Sequence, residues 1–297
     1  MNFWENIKLT FKQGSAPIKL IYINVAVFVL LKAIVIIFQL FNVHGLSIIQ
    51  WMAVPSDLNT LLHRFWTPIT YMFVHEGFFH LFFNMLCLYW FGKIFLSVFS
   101  EKQLIGLYIF GGLVAALFYV ASYNIFPYFA PVVHAGILMG ASGSIMAITV
   151  AAAVRMPNVE MRLLLIGGVK LKYIAIITVL ISFFGITSTN GGGEFAHLGG
   201  ALMGYLFVVF LNKGTDLTSW INRILDGVVN LFRPKNKKVK VKKGKQNFER
   251  KMTDAEYNMN KAGNMAEIDR ILDKIKQSGY NSLTEGEKKK LFEQSKK

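Results

Sequence analysis

Six apolar stretches divide the first 212 residues of the chain: Ile18 to Leu40, Phe78 to Val98, Leu104 to Tyr123, Gly140 to Val154, Tyr173 to Ile186 and Phe195 to Leu211. A helix needs about 20 such residues to cross a bilayer. Inside hydrocarbon every backbone N–H and C=O must find its partner within the protein, which leaves helices and closed barrels as the spanning structures. The runs are continuous rather than alternating, so they are helical. The expected fold class is an all-α polytopic membrane protein with six transmembrane helices. A composition of 54% hydrophobic and 16% charged residues excludes an ordinary soluble domain. The fourth and fifth stretches are short, and a loop dipping into the membrane at their outer ends accounts for that.

The placement of Lys and Arg sets the expected topology. Lys8, Lys12 and Lys19 precede the first span, Lys93 and Lys102 occupy the second loop, and Arg155, Arg162, Lys170 and Lys172 the fourth. Asn124 to Met139 and Thr187 to Glu194 contain neither residue type. By the positive-inside rule both termini are cytoplasmic and an even number of helices spans the membrane; the expected location is the cell inner (plasma) membrane. No secretory signal is evident, because the first apolar run exceeds the usual length and lacks a small-residue cleavage pattern. The lone Cys87 sits in an apolar run and reads as a small buried hydrophobe. The long first connection, Phe41 to His75, carries Trp51, Pro55 and Trp66 and is expected to rest on or in the outer leaflet.

The region after the last span belongs to a different solvent. Residues 1 to 212 hold 11 Lys/Arg against 6 Asp/Glu, and residues 213 to 297 hold 21 against 11, so +10 of the net +15 lies in the tail. "TDLTSWINRILDGVVNLF" spaces Trp220, Ile224, Val228 and Phe232 on one face of an interfacial helix. "RPKNKKVKVKKGK" then has eight basic residues in thirteen and no acid. Behind a membrane helix its expected partner is anionic lipid rather than nucleic acid. Helical spacing in "MAEIDRILDKIKQ" and a Thr-x-x-Glu box at Thr284 and Glu287 predict a small closing module. The expected segments are an N-terminal cytoplasmic stretch (1–17), the six-helix domain (18–212), an amphipathic helix (213–232), a basic linker (233–250) and a cytoplasmic helical module (251–297).

Polar side chains within apolar spans are costly and usually functional. His44, His63 and His134 fall in outer loops, whereas His75, His80 and His197 lie at or inside spans. Gly200 and Gly204, with Ala196 and Gly199, give the sixth span a small surface, and Gly140 and Gly143 do the same beside Ser142. A serine on one close-packed helix and a histidine on the other supply the nucleophile and general base of acyl transfer. His80 and Asn84, four apart and on one face, can donate to a developing oxyanion, as can the free Ser142 amide at a helix start. Taken singly, the serine motif is also a packing motif, the His80 and Asn84 pair an interhelical clamp, and His197 part of a proton or ion path. The three together, on the second, fourth and sixth spans, favour chemistry over packing.

The order HxxxN (His80, Asn84), GxSG (Gly140 to Gly143) and AHxxGxxxG (Ala196, His197, Gly200, Gly204) resembles the rhomboid intramembrane serine proteases over about residues 17 to 212. The resemblance implies a six-helix rhomboid bundle with Ser142 and His197 as a catalytic dyad and an oxyanion hole of His80, Asn84 and the Ser142 amide. It implies a water-filled site open to the outer side that cleaves transmembrane protein substrates, with small residues next to the cut, and no metal or organic cofactor. The last fifty residues resemble an extension found on some bacterial, Bacteroidetes-like members. The alternative is a catalytically silent rhomboid-like protein that binds or sorts membrane helices, although silent relatives typically lose the serine or the histidine.

The chain departs from that pattern at named places. Trp66 takes the position of a Trp-Arg pair but Thr67 follows it, with Arg64 upstream, so a differently anchored first loop is expected. Met146 falls where some members pack an aromatic on the histidine. Glu194, three residues before His197, reads as loop-exposed because the family works as a dyad. "STNGGGEF" reads as a mobile cap over the entrance, its glycines resisting no conformation. Lys32, mid-span, is expected to snorkel or to find a polar partner.

Overall fold

A computed structural model describes residues 2–43, 47–163, 167–232 and 253–294. His44 and the basic linker at 233–250 lie outside the described residues. The chain forms two compact units, Met1–Arg233 and Pro234–Lys297.

The first unit opens with α1 (Phe3–Gln13) and α2 (Ala16–Leu40), the latter with Pro17 in its first turn, where no intrahelical N–H is needed. The first long loop is itself structured as α3 (Ile48–Met52), β1 (Val54–Pro55), α4 (Leu58–His63) and α5 (Thr67–Thr70). There follow α6 (Phe78–Phe95), α7 (Glu101–Ile125), β2 (Ile137–Leu138) and α8 (Ser142–Arg155). A hairpin of β3 (Glu160–Leu163) and β4 (Gly167–Lys170) leads to α9 (Leu171–Phe184), α10 (Gly191–Asn212) and α11 (Ser219–Phe232).

Among the described residues, α2, α6, α7 and α10 are long and apolar enough to cross a membrane. Helices α8 and α9 are apolar but only 14 residues each, roughly 21 Å of rise. The protein is therefore an integral membrane protein with four full-length candidate spans and two shorter apolar helices.

Small residues set the distances at the centre. A Cβ on Gly200 would collide with the Gly143 carbonyl, and one on Gly204 with the Ala147 carbonyl, so α10 lies directly on the backbone of α8. On the other flank of α8, a Cβ at Gly111 of α7 would stand 2.5 Å from that of Ala147. Buried tyrosines carry their hydroxyls to backbone carbonyls: Tyr71 donates to Gly112 O at 2.6 Å and Tyr108 to Met72 O at 2.9 Å. Paired in this way, the hydroxyls avoid the penalty of an unsatisfied buried group.

The first loop is held at two places. Strand β1 pairs antiparallel with β2, Val54 opposite Leu138 and Pro55 opposite Ile137, which ties the loop to the segment leading into α8. Trp66 Nε1 donates to Trp51 O at 2.8 Å, their rings stack at 6.1 Å, and the Arg64 guanidinium lies over Trp51 while donating to Gln50 O at 2.9 Å. Arg64, two residues before the tryptophan, is thus the cation of this anchor. Lys32 resolves its exposure by donating to the Glu76 carbonyl at 2.8 Å, just ahead of α6.

The second unit contains α12 (Asp254–Ser278) and α13 (Glu285–Gln294). Thr284 and Glu287 form the expected reciprocal cap, with Thr284 N donating to Glu287 Oε2 at 2.7 Å and Glu287 N to Thr284 Oγ1 at 3.4 Å. Thr253 and Glu256 make a second one at the head of α12. Lys274 of α12 reaches Glu287 at 3.0 Å.

Candidate active site

Ser142 is the first residue of α8. The turn before it needs Gly140, whose φ of +117° is strained for any residue with a side chain. The Gly140 amide donates to Tyr71 O at 3.0 Å, which holds that turn against the core. Amides in the first turn of a helix have no intrahelical acceptor, so the Ser142 N–H is available to a ligand.

His197 stands on α10 with Nε2 2.8 Å from Ser142 Oγ. This approach is possible because Gly200 and Gly204 bring the two backbones together on the same seam. On the far side of the ring, Nδ1 lies 3.2 Å from Glu194 Oε2 and 3.2 Å from Ser182 Oγ on α9. An ionised carboxylate can only accept, so with Glu194 ionised Nδ1 carries the proton and Nε2 is left bare to accept from the Ser142 hydroxyl.

Helix α6 supplies the facing wall. A Cβ built on Gly140 would stand 2.8 Å from His80 Nε2 and 3.9 Å from Ser142 Oγ, so the glycine leaves open the space between these two groups. Gly140 lies ahead of α8, and His80 is the nearest side chain to where its Cβ would be. Gly143, Ala196, Gly200 and Gly204 do lie at or beside the α8–α10 seam, the Ala196 carbonyl 3.6 Å from where a Gly143 Cβ would be. Asn84 Nδ2 donates to the His80 carbonyl at 2.8 Å within α6, which leaves its second N–H free to donate. His75, buried just ahead of α6, packs edge-on against the His80 ring at 5.2 Å.

Two cavities meet at the serine. One, of about 230 Å³, is lined chiefly by apolar side chains including Phe83, Phe91, Ile145 and Met146, with Ser142 and His197 at its end. The other, of about 900 Å³, has Glu76, His80, Tyr119 and Asn190 among its walls and also reaches Ser142, Asn84 and His197. Ser142 therefore faces an apolar slot on one side and a polar chamber on the other.

Two expectations are corrected here. Glu194 is not loop-exposed: it lies in the first turn of α10, its side chain is 17% exposed, and it sits on His197. The turn of helix that begins at Gly191 puts residues 194 and 197 on one face, and Gly185 leaves room for the carboxylate stem, a Cβ there being 3.0 Å from Glu194 Cγ. The three glycines of "STNGGGEF" are not a mobile cap either. Gly191, Gly192 and Gly193 are buried and helical, and a Cβ on Gly192 would collide with the Tyr123 ring. Gly192 packs on the tyrosines of α7, while a Cβ at Gly191 would meet the Ile186 carbonyl and one at Gly193 the Asn190 side chain.

Sequence reasoning missed Ser182 and Tyr119. A lone serine in an apolar span was the only signal for the first, and nothing local marks the second. In the outer loops, His134 Nδ1 lies 3.3 Å from Asp57 Oδ1, and the Thr60 hydroxyl and amide hold the Asp57 carboxyl below its ordinary range at the head of α4. His63 Nδ1 lies 2.8 Å from the Asn59 carbonyl, within its own helix. Both histidines are thereby explained without chemistry.

The fold and site define a helical integral membrane protein with a serine and a histidine in contact between two close-packed helices. The Rhomboid domain model matches residues 62–214, more than half of the chain, and the protein belongs to the rhomboid family. A second model, that of a family of unknown function (DUF6576), matches residues 251–297. No curated protein matches the chain.

Proposed function

We propose that the protein is an intramembrane serine endopeptidase that cleaves transmembrane protein substrates with a Ser142–His197 dyad. The observation that carries this reading is the 2.8 Å contact between His197 Nε2 and Ser142 Oγ at the junction of the two cavities. A nucleophile within hydrogen-bond reach of a base, beside free donors, is the arrangement acyl transfer requires.

In this mechanism Nε2 takes the Ser142 proton as Oγ bonds to the peptide carbonyl carbon. The oxyanion is held by His80, the free Asn84 N–H and the Ser142 amide. The C–N bond then breaks, the proton passes from Nε2 to the leaving amine, and water drawn from the polar chamber hydrolyses the acyl-enzyme by the same proton route reversed. The apolar slot receives a substrate side chain. No metal or organic cofactor takes part in these steps.

Helices α2, α6, α7, α8, α9 and α10 make the six spans of this reading. Both termini are cytoplasmic, the site opens to the outer side, and residues 251–297 form a cytoplasmic module. The exposed Trp220, Ile224 and Val228 of α11 suit an interfacial position, with anionic lipid as partner of the basic tail. The test is cleavage of a model transmembrane substrate in liposomes by wild type, Ser142→Ala and His197→Ala. Product from wild type alone supports the dyad, equal product from all three overturns it, and no product from any, with the substrate still bound, favours a silent helix-binding protein.

A further inference from the structure

We infer that Glu194 and Ser182 are positioning residues for His197, so that the working unit is the dyad together with a carboxylate and a hydroxyl held on Nδ1. The inference rests on the proposed dyad and deepens it.

Three elements converge on this imidazole, each with a different task. Ser142 of α8 meets Nε2 at 2.8 Å, while Glu194 of α10 and Ser182 of α9 both meet Nδ1 at 3.2 Å. The ring is thereby bonded at both nitrogens, with the two contacts on opposite sides. The Ser182 hydroxyl and the Glu194 carboxylate thus meet at the same ring nitrogen. Ser182 is 2% exposed, and its buried hydroxyl finds its partner in His197 Nδ1. Other titratable groups share the polar chamber with His197: Glu76, His80 of α6, and Tyr119 and Tyr123 of α7.

The chemistry follows from the donor inventory. A carboxylate on Nδ1 keeps the proton there and leaves Nε2 as the base. When Nε2 takes the Ser142 proton the imidazole becomes a cation, and the carboxylate stands beside it while its own proton count is unchanged. No stacked aromatic orients the ring from α8: Met146 lines the apolar slot beside it, and a thioether chain has too many rotamers to fix a ring plane. Orientation therefore comes from the Nδ1 side. Glu194 also joins α10 to the Gly185 turn after α9, so the positioning pair couples the base to the one short helix that carries Ser182.

The experiment uses the full chain in liposomes with Glu194→Gln, Glu194→Ala, Ser182→Ala and the Glu194→Ala/Ser182→Ala double variant. It reads kcat and KM separately, and the ¹⁵N spectrum of labelled histidine for the His197 tautomer. In soluble triads the wrong tautomer costs about 10⁴-fold in kcat. Here the carboxylate is partly exposed and shares its role with Ser182, so Glu194→Ala is expected to lower kcat about 10- to 100-fold with little change in KM. The double variant falls further and loses the Nδ1–H signal, whereas the isosteric Glu194→Gln keeps an acceptor and the tautomer but loses part of kcat. Wild-type kcat, or a wild-type tautomer, in the double variant overturns the inference. An inactive wild type would instead sink the protease reading, and the tautomer of the double variant would still decide the positioning role.

Discussion

His197 Nε2 lies 2.8 Å from Ser142 Oγ across the seam that Gly200 and Gly204 close between α10 and α8. The contact spans 55 residues of sequence and depends on two backbones touching. Reactivity and packing are thus linked.

Packing comes first. Gly204→Val places a side chain against the Ala147 carbonyl, a rigid backbone atom that cannot move aside cheaply. Overpacking of this kind costs about 1–3 kcal/mol or more. The expected result is a lower thermal midpoint in detergent together with lost cleavage, measured by tryptophan fluorescence on heating.

Gly140→Ala acts on the geometry of the site, with strain at the turn as its cost in stability. The backbone at φ +117° is strained with a side chain, and the new methyl would stand 2.8 Å from His80 Nε2. Displacing a donor by about 1 Å can cost roughly 10²-fold in rate. We expect a large loss of kcat in a protein that still reconstitutes and binds substrate with unchanged KM.

His80→Ala and Asn84→Ala test the oxyanion donors. Each removes a group that would act on the developing charge rather than on bound substrate, so kcat falls about 10²–10³-fold for a full donor while KM holds. A rise in KM with kcat unchanged would assign these residues to substrate binding instead.

Trp66→Phe keeps the stacked ring but deletes the 2.8 Å bond from Nε1 to Trp51 O. The loss is about 0.5–1.5 kcal/mol of local stability. Amide hydrogen exchange should quicken across residues 48 to 70 and stay unchanged in α7.

The closing module carries a pH signature. The Thr284 amide, together with Lys274 and the Thr284 hydroxyl, holds the Glu287 carboxyl at about 2 against an ordinary 4.5. Because the folded value is depressed, the stabilisation is present above pH 4.5 and is lost as pH falls toward 2. Exchange protection at the start of α13 should drop through that window in the full chain. Glu287→Ala, which deletes the cap acceptor, should have low protection already at neutral pH and show no such drop.

Much of the architecture was legible in the residues alone. Continuous apolar runs located the four long helices and the two short ones, because in hydrocarbon a helix is the only way a single segment satisfies its own backbone. Cap pairs such as Thr284 with Glu287 could be read because both partners lie within one turn. Ser142, His197, His80 and Asn84 stood out because polar groups in apolar runs are rare and costly, and the fold gathers all four around one junction.

What the sequence could not decide is what stands opposite what. Glu194 read as an exposed loop residue because whether Gly191 to Gly193 are loop or helix depends on what packs around them, Tyr119 and Tyr123 of α7 against Gly192 and the Ile186 carbonyl against Gly191. Ser182 carried no distance information until α9 placed it beside Nδ1. Gly140 read as helix packing, and its nearness to His80 is set by α6, which local pattern does not give. Local pattern determined which residues are costly to bury and where the helices run; tertiary packing alone decided the partners of those residues, since distances between helices follow from side-chain volumes on both surfaces.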